Sequence, residues 1–154
     1  MRDEDMRSEI SVYFAFSGFD IDPDEITRLT GITPTRIQRA GDPVSWASSL
    51  SEEDKQRIRV KTNGWVMYSG LDSNVDLPTQ VKALLEKLES AWDRLIELSQ
   101  QYEPAVECIV RSYGGDRPEI TFDKEVVRKL AQLNAELGVD LYVFRSHTAP
   151  LETK

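Results

Sequence analysis

Ile10, Val12, Phe14 and Phe16 alternate with Ser11, Tyr13, Ala15 and Ser17. A period of two over eight residues sends one set of side chains into a core and turns the other set away, so this segment reads as a strand with one buried face. Gly18 ends it, and the signals of a helix start follow. Asp22 is placed to cap, Pro23 suits the first helical position, and Glu25 is spaced to complete a capping box. Ile21 and Ile26 have the spacing of a hydrophobic staple, and Gly31 can take the left-handed conformation that stops the helix. Asp20, Asp22 and Asp24 also resemble the start of a calcium loop, but such a loop needs Gly at its sixth position and Glu at its twelfth. Those positions hold Glu25 and Gly31, so the acids read as companions of a helix N-terminus and no metal site is expected.

Further along, Ala40–Asp54 is rich in Gly, Pro and Ser and reads as a long loop, with Trp46 expected to pack back on the domain. Arg57–Gly70 reads as a hairpin turning at Asn63-Gly64, its outgoing arm part of a basic stripe of Lys55, Arg57, Arg59 and Lys61. Asp76–Tyr102 is a long amphipathic helix, with Val81, Leu84, Leu85, Leu88, Trp92, Leu95 and Ile96 on one broad face and Glu86, Glu89, Asp93 and Glu97 on the other. Period two returns at Ala105–Tyr113, where Cys108 shares a face with Val106 and Val110. Ile120–Phe122 reads as a brief extended piece. A third helix is capped by Asp123, stapled by Phe122 and Val127, turned inward at Val126, Val127, Leu130, Leu133 and Leu137, and closed by Gly138 ahead of a last strand, Val139–Arg145.

The segments Leu29-Thr30-Gly31-Ile32, Thr33-Pro34-Thr35 and Gly41-Asp42-Pro43 resemble the L-G-I-x-P-T…G-D-P signature of an uncharacterised bacterial family, the domain of unknown function 4279. The run Asp22–Ile26, the triplet Asn63-Gly64-Trp65 and the closing segment Leu133–Phe144 are similar to it as well, so the resemblance spans roughly Ser8 to Phe144. It implies a compact α+β domain and carries over no activity and no catalytic residue. The two stretches that run strand, turn, helix and then Gly-Ile (Gly31-Ile32) or Gly-Val (Gly138-Val139) echo one another. They suggest βαβ units in a ferredoxin-like two-layer sandwich, its sheet mostly antiparallel or mixed, with the long helix packed on one face. Chance similarity competes with that echo, and the strand order stays open. A single domain over residues 8–145, with flexible tails at 1–7 and 146–154, is the expected organisation.

The chemistry on offer is sparse. The one histidine, His147, lies in the C-terminal tail, which leaves no triad and no histidine metal site, and Gly114-Gly115 reads as a turn and not a phosphate loop. No cofactor is expected. The candidate binding residues are Thr35, Arg36, Arg39 and Asp42, with Trp65 beside them. Three arginines fall between Ile26 and Gly41 without an acid, a segment able to grip a carboxylate or phosphate. The competing reading has Asp42 fixing the shape of the loop through an arginine or backbone amides.

The formal net charge of -8 speaks against general nucleic-acid binding and is compatible with a basic protein partner. Homodimer formation stays open. A single cysteine suits a reducing cytoplasm, and no signal peptide or membrane span is read in the sequence. Two functions follow. One is a non-enzymatic protein-interaction module, immunity-like or accessory. The other is a small-molecule or anion binder, or an unrecognised enzyme, centred on Thr35–Asp42. A closed polar pocket holding Arg39, Asp42 and Trp65 would favour the second, and a surface without convergent polar groups the first.

Overall fold

In a computed structural model, residues 7–145 are described. They form one five-stranded sheet in the order β2-β3-β1-β4-β5. In chain order the elements are β1 (Glu9–Ser17), α1 (Pro23–Thr30), β2 (Arg36–Gln38), α2 (Glu52–Arg57), β3 (Gly64–Tyr68), α3 (Leu77–Leu88), α4 (Trp92–Ser99), β4 (Glu103–Tyr113), α5 (Lys124–Gln132) and β5 (Glu136–Phe144). β1 is central, antiparallel to β3 on one side and to β4 on the other; β2 is antiparallel to β3, and β5 alone runs parallel to its neighbour, β4.

The alternation in β1 decides the layers. Ile10, Val12, Phe14 and Phe16 are buried, and the registers bring Met67, Trp65, Val106, Cys108 and Val110 to the same face. Val81, Leu84, Leu85, Leu88 and Leu95 of α3 and α4 close over them, joined by Ile26 of α1 and by Val126 and Leu130 of α5. Cys108 is enclosed here, and burial pushes its thiol up to about 12, so it is a packing residue and no nucleophile. Gln80 is a fully buried polar residue in this layer. Its amide nitrogen donates to the carbonyls of Ile10, Asp72 and Val75, while its oxygen accepts from Ser69, which pins the 69–76 connection to the sheet.

The α1 signals act largely as read. Asp22 accepts from the Asp24 amide, Pro23 occupies the first turn, and Gly31 ends the helix at φ 70°. Glu25, however, turns to Arg28 and forms no capping box.

Several expectations are corrected. The long helix is broken: a 3-10 turn at Glu89–Ala91 separates α3 from α4, and Trp92 swings its indole N–H onto Gln132 of α5. No hairpin forms at Asn63-Gly64. The Asn63 side chain is consumed by the Phe19 and Ile21 carbonyls and the Ala40 amide, and β3 pairs with β1 and β2 instead of with residues 58–61. The basic stripe dissolves with it, because Lys55 and Arg57 lie in α2, paired with Glu52 and Asp54. Trp46 is 52% exposed and does not pack back. Ile120–Phe122 forms no strand. α5 ends at Gln132 and the chain turns at Asn134, at φ 53°, so Leu137 and Gly138 belong to β5. Val127 is 53% exposed and staples nothing. His147 lies outside the described residues.

Candidate functional site

The five residues singled out in the sequence are distributed across the β2–β3 corner, and all but Arg36 are engaged within the fold. Thr35 precedes β2. Its hydroxyl accepts from the Tyr68 amide at 3.0 Å and contacts Met67 Sδ at 3.7 Å, and its own N–H donates to the Val66 carbonyl. Those bonds splice the segment onto β3, which is why a stretch that reads as loop contains the short strand Arg36–Gln38. Trp65 is fully enclosed between Phe14 and Phe16, with its indole N–H donating to Thr27 Oγ1 at 3.1 Å.

Arg39 folds toward the start of α1. Its guanidinium donates to both carboxylate oxygens of Asp22, at 3.0 and 3.2 Å, and to Asp24 at 2.7 Å. The Arg39 hydrogen bond, backed by the Asp24 amide, holds the Asp22 carboxyl below the usual carboxylate range. These are the acids that suggested a calcium loop. Among the described residues no group of three or more His, Cys, Asp or Glu is arranged to hold a metal. Asp42 closes the loop by accepting from the Arg39 amide at 3.1 Å, a backbone bond of the kind expected for it. Arg28 is spent on Glu25, and Arg36 is exposed on the sheet face opposite the helices. Five clefts on the surface of the described residues are lined by other side chains, none by Thr35, Arg36, Arg39, Asp42 or Trp65.

An open cleft of about 360 Å³ does lie at the helix break, lined by Thr30 of α1 and by Glu89, Trp92, Asp93, Arg94 and Glu97. Glu89 is paired with Lys129 and Glu97 with Arg94, while Asp93 has no ion pair among the described residues. The acidic ridge was legible as a helix face. The cleft was not, because it depends on a break that the apolar periodicity runs straight through.

On the sheet face away from the helices, Tyr13 packs against Tyr68 with ring centroids 5.1 Å apart. Glu107 lies among Asp140 and Glu136 on the same side, and burial, with those two acids behind it, raises its carboxyl above the usual value. Arg111 sits over the Tyr142 ring, 5.8 Å from its centroid.

A family model described as Domain of unknown function (DUF4279) matches residues 8–144. The chain belongs to this family. The match covers nearly the whole sequence and agrees with the resemblance carried by the Gly31, Pro34 and Gly41–Pro43 segments. No curated protein and no solved structure matches the chain. Among the described residues of this DUF4279 chain, no helix is long and apolar enough to cross a membrane.

Proposed function

We propose that this DUF4279 chain is a non-enzymatic protein-interaction module, immunity-like or accessory, that meets a basic protein partner along the acidic ridge of α3 and α4. The observation that carries the reading is where its polar chemistry is spent. The side chains best suited to a pocket, Arg39, Asp42, Thr35 and Trp65, are used inside the fold, while Asp93 faces an open acidic cleft. Such a cleft accepts a lysine or arginine side chain from a partner. The net charge of -8 adds long-range attraction for a basic surface.

The same reading extends to architecture. The order β4-β1-β3-β2, with α1 between β1 and β2 and α3–α4 between β3 and β4, supports a ferredoxin-like unit to which α5 and β5 add one further strand.

The test is cross-linking capture with the native chain and with Asp93→Lys/Glu97→Lys. The native chain should enrich basic proteins, in a salt-sensitive way, and the variant should lose them. Equal capture by both chains, or enrichment of acidic proteins, would overturn the reading.

A further inference from the structure

Among the described residues β5 ends the sheet on one side and pairs only with β4, and it is nine residues long. Its register places Leu137 beside Val106, Val139 beside Cys108, Leu141 beside Val110 and Val143 beside Ser112, all on the helix-covered face. The helices stop short of it. Leu141 is 52% exposed and Val143 64%, and both border an apolar cleft of about 430 Å³ with Pro118 and Ile120. The backbone points the same way. Gly114 N–H donates to the Phe144 carbonyl, so the even-numbered residues of β5 bond toward β4. The N–H and C=O groups of residues 137, 139, 141 and 143 therefore face outward, on the residues that carry the apolar side chains. A long edge of this composition is a template for another strand, and β5 contains no proline and no lysine to blunt pairing.

We infer that β5 pairs antiparallel with β5 of a second copy of this chain, about a two-fold axis normal to the sheet through Leu141, giving a continuous ten-stranded sheet. An axis normal to the sheet keeps both helical layers on one side, so the two apolar stripes merge, and it allows only pairings between residues of equal parity. Charge then selects the register. Centring on Asp140 sets two carboxylates against each other. Centring on Val139 places Asp140 opposite Gly138 of the other copy, where that copy's Glu107 carboxylate lies; a Cβ at Gly138 would sit 2.9 Å from the Glu107 carboxyl carbon. Centring on Leu141 places Asp140 opposite Tyr142 of the other copy, with Arg111 over that ring. The Asp140 and Arg111 backbones are then two strands apart, roughly 10 Å, a span their side chains close. Each seam gains two such pairs. Among the described residues Asp140 has no ion pair within its own chain, and Glu107 lies near it on the neighbouring strand. A second copy thus sets another arginine across from Asp140, at an edge that an acidic chain would otherwise find repulsive.

The experiment is sedimentation or light-scattering mass of the full chain across a concentration series, with variants at exposed positions that preserve the fold by circular dichroism. The native chain should have the mass of two copies. Leu141→Lys, and independently Val143→Lys, should halve it. Asp140→Arg should weaken the dimer, and adding Arg111→Asp should restore it. Leu141→Cys should cross-link to itself on mild oxidation, since a hydrogen-bonded antiparallel pair holds Cα atoms about 5.5 Å apart, within disulfide range. A native chain that stays monomeric overturns the inference, as does a folded Leu141→Lys chain that remains dimeric. The surface is separate from the acidic ridge. A monomer that still captures basic proteins sinks only the self-pairing, and a dimer whose ridge variant captures the same proteins sinks only the module reading.

Discussion

Arg39 holds Asp22, the residue that caps α1, through two hydrogen bonds to its carboxylate, and so ties the loop after β2 to the start of a helix 17 residues earlier. The bond has a pH signature. Because the folded-state pKa of Asp22 is lowered, its contribution is present above the unfolded carboxylate pKa and is lost as pH falls through the lowered value. Arg39→Gln should flatten that part of the acid unfolding curve and speed amide exchange in the first turn of α1. An unchanged acid limb would show that the pair is merely surface decoration.

Asp42 should act on the loop alone. Asp42→Asn weakens the bond it accepts from the Arg39 amide, so protection should fall across Thr35–Trp46 and hold in the sheet and in α3. Uniform exchange across the two chains would make Asp42 a solvated turn residue.

Leu88 is fully buried at the last turn of α3, just before the helix breaks. Leu88→Ala should lower stability by about 2–5 kcal/mol, read from the urea midpoint at unchanged slope. A loss under 1 kcal/mol would mean that the break lets the site collapse around the cavity.

The elements legible in the sequence are those whose signals are local. β1 shows its period of two, α1 its caps, and the core face of α3 its apolar stripe, and each forms where those signals place it. What escaped depends on distant partners. β2 exists because Thr35 bonds to β3, and the helix breaks where Trp92 reaches Gln132, 40 residues away. Trp65 read as a candidate binding residue because tryptophan next to a polar loop looks the same in sequence whether it is displayed or enclosed. The edge position of β5 was hidden for a related reason: a fully apolar alternate face predicts burial, and here no helix arrives to provide it.

Thr27 should prove more important than an ordinary helix threonine, because its hydroxyl satisfies the buried indole N–H of Trp65. Thr27→Val should cost about 1–3 kcal/mol, while Thr27→Ser should retain the bond and most of the stability. Equal losses in the two variants would assign the effect to packing alone.

Cys108 gives an alkaline counterpart. Its thiol is raised from 9.0 to about 12 by burial and then by Glu107, so the folded state resists ionisation. The associated stability is intact below pH 9 and is lost as pH rises toward 12. Thiol reagents should modify Cys108 only at the rate of unfolding, and fast labelling of the native chain would contradict its enclosure.

The central position of β1 bears on how the protein is made. Tyr13 pairs with Tyr68 on one side and Glu107 on the other, so β1 has both of its partners synthesised long after it. Its four apolar side chains gain one neighbouring strand with β3 and the second only with β4. Folding must therefore close long loops before the central ladders exist, which slows it.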